Sequence, residues 1–229
     1  MHIHHKELLD IYNNLKASNC SNKVLLTRAR RALSWLEKSE KENSQDAKFI
    51  FLWISLNCTY SKHTLREDDR DLRNNFFELI LESDDKKKSI WYLLNERYPE
   101  EITLIINNEH IYIDFWKDEK HSFNQQKKLL WQASMDYENN KITDKLLDSK
   151  NNKSKEDVIY ILNILFSRLY VLRNQIFHGG STFEGSVNRT QVDDGSNLMQ
   201  YLVPLFIKIM LENPQNSYSE VPYPPSHHV

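Results

Sequence analysis

The stretch KEDVIYILNILFSRLYVLRNQIFHGG, residues 155–180, is the most apolar part of the chain and decides its fold class. Its leucine and isoleucine residues recur at alternating steps of three and four, which places them on one face of an α-helix. That face consists of Leu162, Leu165, Leu169, Leu172 and Ile176. Gly179 and Gly180 follow at once, and glycine favours the left-handed conformation that closes a helix. The pattern therefore predicts one long helix over 155–177 with a buried face.

The end of this predicted helix carries Arg173, Asn174 and His178. An arginine and a histidine five residues apart are weak evidence of a catalytic pair, because such spacings also arise by chance. On a straight helix the two side chains lie roughly 140° apart around the axis, so one chain does not form a compact pair. A two-fold contact brings the same patch of two copies together. We therefore expect a homodimer whose cleft contains two arginines and two histidines.

The pattern Arg173-Asn-x-x-x-His178, at the end of a late helix in a helical chain, resembles the signature of the HEPN superfamily. The segments GGSTF at 179–183 and VNRTQ at 187–191 are similar to a bacterial HEPN-like group. The resemblance is specific over 169–191 and elsewhere consists of helical pattern and length. One branch of toxins, silenced by a nucleotidyltransferase partner, carries a tyrosine where this chain has Gly180. Silencing by that route is therefore not implied.

The resemblance implies a metal-independent endoribonuclease of a prokaryotic defence or toxin-antitoxin system, with RNA as substrate and an antitoxin or regulatory protein as a further partner. Such a reaction needs a base for the 2′-hydroxyl proton, an acid for the departing 5′-oxygen and a cation for the phosphorus centre. His178 of the two protomers would supply base and acid, and Arg173 would hold phosphate. Asn174 would orient one of these groups. The expected products end in a 2′,3′-cyclic phosphate and a 5′-hydroxyl.

Three further residues near the motif are predicted to contact substrate: Arg168, Thr182 and Arg189. The loop 181–187 either covers the cleft or stacks a base through Phe183, while a phenylalanine of this kind also serves as a core plug. The motif has a structural alternative, because histidine caps helix carbonyls and arginine extends along apolar surface. A non-catalytic HEPN-like module that binds a protein or nucleotide is the rival function.

Composition limits the function classes. The chain has 229 residues, of which 40% are hydrophobic and 27% charged, as in an ordinary globular protein. Only four glycines and six prolines occur, which favours long helices. The net charge of −2 is not that of a protein that coats nucleic acid, so any RNA contact must be local. The basic cluster Arg28, Arg30 and Arg31 is interpreted as a solvated helix face.

Cofactor, metal and membrane signals are missing from the sequence. Cys20 and Cys58 have no ligand spacing, so neither zinc nor a disulfide framework is indicated, and we predict no cofactor. The first residues lack the features of a secretory signal, which favours a cytoplasmic protein. The apolar run 49–54 is far shorter than the roughly 20 residues of a membrane span. It is predicted to be a core helix.

Apolar spacing along the rest of the chain predicts an all-α helical bundle in a single domain over 1–213, followed by an unstructured tail over 214–229. The first helix is predicted over 6–17, and the second runs from a cap at Ser21 or Asn22 to residue 41. Further helices are predicted over 45–60, 68–81, 89–98, 122–138, 155–177 and 188–211. The segment 101–116 is predicted as a helix followed by a loop, with a small hairpin as the alternative. The segment 139–153 is predicted to be a polar connector with at most a short helix.

Overall fold

The structure is a computed structural model that describes residues 3–62, 68–84, 86, 88–119, 125–147, 154–186 and 188–223. In these ranges the chain has helices and no strands, so the predicted all-α class is confirmed and the alternative hairpin over 101–116 does not form. The α-helices are α1 (His5–Ala17), α2 (Lys23–Glu40), α3 (Gln45–Tyr60), α4 (Asp69–Asp84), α5 (Ser89–Tyr92), α6 (Pro99–Ile106), α7 (Ile113–Glu119), α8 (Gln125–Leu147), α9 (Lys155–Phe177) and α10 (Arg189–Glu212). A π-helical turn (Leu93–Arg97) continues α5, and a 3-10 turn (Glu109–Ile111) precedes α7.

The chain divides into two compact units. The first consists of Met1–Ser89 with Met199–Val229, and the second is Ile90–Leu198. The division falls inside α10, whose first part belongs to the second unit and whose remainder belongs to the first. The single folding domain predicted over 1–213 stays a prediction. All the predicted site residues belong to the second unit.

The first unit is built around α2 and α3. Asn22 is the cap of α2, because its side-chain oxygen accepts a hydrogen bond of 2.9 Å from the Leu25 amide. The third helix buries Phe49 and Trp53, which confirms that the apolar run 49–54 belongs to the core. Phe206 of α10 packs its ring against Phe77 of α4 at 5.7 Å between centroids. Aromatic packing of this kind stabilises the unit by burying large apolar surfaces.

The segment 214–223 differs from the unstructured tail that its prolines and polar residues indicate. Asn22 donates hydrogen bonds to the carbonyl oxygens of Pro214 and Asn216, at 3.0 and 2.9 Å. Arg31 donates to the carbonyl oxygens of Pro222 and Tyr223, at 2.7 and 2.6 Å. The cap residue of α2 and a side chain of that helix therefore hold this non-helical segment in place, because they donate to carbonyl groups that have no helical partner. Residues 224–229 of the predicted tail lie outside the described residues.

Arg28 makes the strongest attachment of this segment. Its side chain is fully buried, so the interpretation of the basic cluster as a solvated face is wrong for Arg28, whereas Arg30 is exposed as predicted. The guanidinium donates to the carbonyl oxygens of Ser219 and Glu220, at 2.8 and 2.9 Å, and to those of Cys58 and Ser61, at 3.1 and 3.0 Å. Among the described residues no carboxylate pairs with it, so backbone carbonyl groups and the hydroxyl of Ser219, at 3.0 Å, stabilise its charge. Burial accordingly lowers the pKa of Arg28 to about 10.

Replacing Arg28 with methionine is expected to lower the free energy of unfolding by about 3 kcal/mol, because four partly buried carbonyl groups lose their donor. Urea denaturation followed by circular dichroism measures this change. Arg30→Met is the matched control, since Arg30 lies exposed on the same helix and its loss should change stability by less than about 0.5 kcal/mol. Equal effects of the two substitutions would show that Arg28 does not anchor the segment.

The second unit contains a helix that is longer than predicted. The last part of α8, residues 139–147, falls in the segment 139–153 that the sequence predicts to be a polar connector with at most a short helix, so that prediction is wrong as far as Leu147. Asn139 interrupts the apolar pattern, yet it is 5% exposed and donates a hydrogen bond of 2.8 Å to the side-chain oxygen of Asn107. Ile142 and Leu146 follow it on the buried face. A polar residue thus occupies a core position because it has a hydrogen-bond partner, and the apolar spacing of α8 is less regular as a result.

Candidate active site at the end of the long helix

The helix α9 has the predicted bounds, Lys155–Phe177. Ser154 caps its first turn by accepting a hydrogen bond of 3.2 Å from the Asp157 amide. The predicted apolar face is buried: Leu162, Leu165, Leu169 and Leu172 have no exposed surface, and Ile176 is half-buried. This burial fixes the rotation of the helix and therefore the direction of every side chain in its last turn.

The helix ends as the two glycines indicate. His178 is the C-cap residue, and its amide donates to the Asn174 carbonyl at 3.0 Å. Gly179 has φ +72°, in the left-handed region that glycine adopts without strain. The Gly180 amide donates to the Gln175 carbonyl at 2.7 Å, and a Cβ atom on Gly180 would lie only 3.0 Å from that oxygen. The chain therefore turns sharply just beyond the predicted catalytic histidine.

Arg173 and Asn174 are brought together on the half-exposed side of this turn. The Nη1 group of Arg173 donates a hydrogen bond of 2.8 Å to Oδ1 of Asn174. The guanidinium also lies over the ring of Phe177, with 4.1 Å from Cζ to the ring centroid. His178 is exposed, and in the described part of the chain its imidazole has no hydrogen-bond or ion-pair partner. One chain thus presents a positioned arginine and a separate, accessible histidine.

The guanidinium of Arg173 has donors to spare. Arginine carries five N–H donors, and here a single amide oxygen accepts one of them. The Nε atom of Arg173 is covered by protein and has no hydrogen-bond partner. No carboxylate of the described residues forms an ion pair with this side chain. An anion at the end of α9 would therefore meet a cation whose charge is not already neutralised.

Arg168 is buried inside the second unit, so the prediction that it contacts substrate is wrong. Its side chain is 2% exposed and donates from Nη2 to Oε2 of Glu138 at 2.8 Å. Its guanidinium lies 4.2 Å from the ring centroid of Tyr112. Burial lowers the pKa of Arg168, and the Glu138 carboxylate opposes that effect. Arg168 therefore connects α9 to α8 inside the unit, where a nucleic acid does not reach it.

Thr182 begins the turn that follows the motif, and Arg189 is the first residue of α10. The Gly185 amide donates to the Thr182 carbonyl at 2.9 Å, which closes a β-turn. Arg189 donates from Nε to the Gly185 carbonyl at 3.2 Å, and its Nη1 lies 3.9 Å from Oδ1 of Asp193. Phe183, at the tip of the turn, is 70% exposed, so the alternative that it plugs the core is wrong.

Gln175 is a residue of the site that sequence reasoning missed. Its Nε2 donates to the His110 carbonyl at 2.7 Å, and its Oε1 accepts from Nδ2 of Asn188 at 2.7 Å. The indole nitrogen of Trp116 also donates to the His110 carbonyl at 2.7 Å. Gln175 therefore joins the end of α9 to the 3-10 turn and to the residue before α10. A single glutamine inside a helix gives no signal of such a role, since its partners are distant in sequence.

No protein-family model, characterised protein or solved structure shows significant similarity to this chain. The resemblance to the HEPN superfamily therefore rests on residues 169–191 alone. Within the ranges described, none of the helices combines the length and the apolar character that crossing a bilayer requires.

The two arginines of α9 are expected to respond differently to substitution. Arg168→Met should lower the free energy of unfolding by about 3 kcal/mol, because it leaves the carboxylate of Glu138 without its partner in a largely buried position. Arg173→Met should change it by less than about 1 kcal/mol, since that side chain forms no ion pair with any residue that the structure describes. Urea denaturation of both variants gives the comparison. A large loss of stability in Arg173→Met would assign that residue to packing.

Proposed function

We propose that this chain is a metal-independent endoribonuclease of the HEPN type, whose active site is shared by two copies at the end of α9. The observation that carries the proposal is the state of Arg173: a positioned guanidinium with no carboxylate partner among the described residues, at a helix end that also carries an exposed His178. A phosphodiester is the anion that this pair of residue types handles best, because arginine holds phosphate oxygens and histidine transfers protons near neutral pH.

The proposed reaction uses the 2′-hydroxyl of RNA as nucleophile. His178 of one protomer takes the 2′-hydroxyl proton while the 2′-oxygen bonds to phosphorus. The bond from phosphorus to the 5′-oxygen breaks, and the partner subunit's His178 gives that oxygen a proton. Arg173 holds the non-bridging oxygens as negative charge develops on them. The products are a 2′,3′-cyclic phosphate and a 5′-hydroxyl.

Asn174 has a positioning role in this proposal. Its side-chain oxygen accepts the 2.8 Å hydrogen bond from Arg173, which limits the freedom of the guanidinium. The ring of Phe177 limits it on another side, at 4.1 Å. A cation that is already oriented loses less conformational freedom when phosphate binds, so the site stabilises the transition state more effectively. Thr182 and Arg189 border the same end of the helix and complete the substrate-binding set.

Helix geometry supports the shared site. Arg173 and His178 are separated by roughly 140° around a straight helix axis, so the histidine of a second copy is better placed to work with the arginine of the first. Tyr170 and Phe177 are 38% and 45% exposed and lie two turns apart on the side of the helix that carries Asn174. Apolar surface beside the motif is suited to a contact between copies. The homodimer is therefore part of the proposal.

The wider setting follows from the resemblance. A ribonuclease of this type would act in the cytoplasm, in a defence or toxin-antitoxin system, under the control of an antitoxin or another regulatory protein. The net charge of −2 agrees with a protein that binds RNA at one local site rather than over its whole surface.

The purified full chain is expected to cleave RNA in the presence of EDTA. His178→Ala and Arg173→Ala should each lower the rate by at least about a hundredfold, because each removes a group that acts in the transition state. Gel analysis of a labelled RNA measures the rate, and circular dichroism checks that the variants fold. The control is Arg30→Met, which removes an exposed arginine outside the site and should leave the rate unchanged.

Absence of cleavage at every protein concentration would contradict this proposal. If Arg173→Ala then abolished the binding of a protein or nucleotide, the non-catalytic helical module would be the correct function. Unchanged cleavage by His178→Ala would also contradict the assigned chemistry.

Mixing of subunits tests the shared site directly. When wild-type chain and His178→Ala are unfolded together in equal amounts and refolded, about a quarter of the dimers contain two wild-type chains. Because the reaction needs both histidines, the specific activity should fall to about a quarter of the wild-type value. A fall to about one half would mean that each chain carries a complete site of its own.

A further inference from the structure

Phe183 is held in solvent although it is one of the most apolar residues of the chain. Its exposed fraction of 70% is higher than that of either aromatic residue on the neighbouring face of α9, Tyr170 and Phe177. In the described part of the chain no aromatic ring packs against it. A single exposed apolar side chain is common on protein surfaces. The turn that carries Phe183, and its place beside the motif, make this one informative.

The turn is held in shape by its own contacts. The Gly185 amide bonds to the Thr182 carbonyl at 2.9 Å, and Glu184 adopts φ +52° between them. A Cβ atom on Gly185 would lie 2.2 Å from Oγ1 of Thr182 and 3.0 Å from the Thr182 carbonyl oxygen, so the absence of a side chain at Gly185 lets the turn close tightly. Arg189 binds the Gly185 carbonyl at 3.2 Å from the start of α10. The exposure of Phe183 is therefore set by a close-packed turn.

Both ends of the loop are joined to the last turn of α9. The Gly180 amide donates a hydrogen bond of 2.7 Å to the backbone oxygen of Gln175. The side-chain amide of Asn188 donates one of 2.7 Å to Oε1 of the same residue. These two bonds keep the loop beside the helix end that carries Arg173 and His178. The ring of Phe183, the guanidinium of Arg173 and the imidazole of His178 thus belong to one short part of the second unit that hydrogen bonds hold together.

Local charge indicates what the ring contacts. Arg173 has no carboxylate partner among the described residues, whereas Arg189 lies 3.9 Å from Asp193, and Glu184 is part of the turn itself. The cations and carboxylates of this region nearly balance, so attraction to phosphates alone does not supply much affinity. Stacking of a base on an aromatic side chain supplies affinity that does not depend on net charge.

We propose that Phe183 is a stacking platform for an unpaired base of single-stranded RNA whose phosphate is held by Arg173. The inference rests on the proposed function for the position of that phosphate and adds the substrate class. Bases in an A-form duplex are stacked on each other and do not present a free face to a protein side chain, so double-stranded RNA does not use the platform.

Binding is measured on the full chain with His178→Ala, which prevents cleavage during the experiment. The probe is a fluorescently labelled adenylate oligomer of about 12 nucleotides, compared with a duplex of the same length. Adding Phe183→Ala should raise the dissociation constant for the single strand about tenfold. Phe183→Trp should restore it, because the larger ring stacks at least as well. Tyr92→Ala is the matched control, since Tyr92 is 62% exposed in the same unit away from the motif and should leave binding unchanged.

Three outcomes would overturn the platform. The first two are equal affinity of Phe183→Ala and its parent for the single strand, and tighter binding of the duplex than of the single strand. The third is a change of oligomeric mass in Phe183→Ala, which would show that the ring is a contact between copies. Failure of the proposed function is distinguishable from these results. If the wild-type chain cleaves no RNA but binds the single strand through Phe183, the ribonuclease proposal is wrong and the stacking platform is supported. If Phe183→Ala cleaves RNA at the wild-type rate and binds it equally well, the ribonuclease proposal is supported and the stacking platform is wrong.

Discussion

The complete burial of one face of α9 is the constraint on which the second unit and its site depend. Leu162, Leu165, Leu169 and Leu172 lose all contact with solvent, so the helix cannot rotate without exposing them. The orientation of the last turn follows from this burial. Arg173 and Asn174 are thereby placed on the half-exposed side, and His178 closes the helix in solvent. The chemistry proposed for this helix end is thus a consequence of apolar packing along its length.

Three arginines show how partners decide the role of one residue type. Arg28 is buried and bonded to backbone carbonyl groups, which fastens the non-helical segment 214–223 to α2. Arg168 is buried and paired with Glu138, which joins two helices of the second unit. Arg173 has an amide oxygen and an aromatic ring as neighbours, and its charge is not neutralised. A buried guanidinium must be satisfied inside the protein, whereas a half-exposed one is free to bind an external anion.

The sequence-based predictions were wrong where the partners of a side chain, rather than its polarity, decide whether it is buried. Asn139 made the end of α8 look like a connector, but a hydrogen bond to Asn107 allows it to be buried. Arg168 looked like a ligand for RNA because it precedes the motif by five residues, yet Glu138 compensates its burial. Phe183 is the opposite case, since a close-packed turn holds an apolar ring in solvent. Composition and periodicity contain no information about such partners.

The sequence by itself determined the all-α class, the bounds of α9 and the position of Arg173, Asn174 and His178 at its end. These features are local, because periodic apolar spacing and a glycine stop act within a few turns of helix. Only the tertiary structure decided which arginine is buried, where residues 214–223 lie and how Gln175 fastens the motif. Each of these depends on contacts between distant parts of the chain: 191 residues separate Arg28 from Ser219, and 65 separate Gln175 from His110. Hydrogen-bond partners so far apart are chosen by the packing of whole helices, which no local pattern encodes.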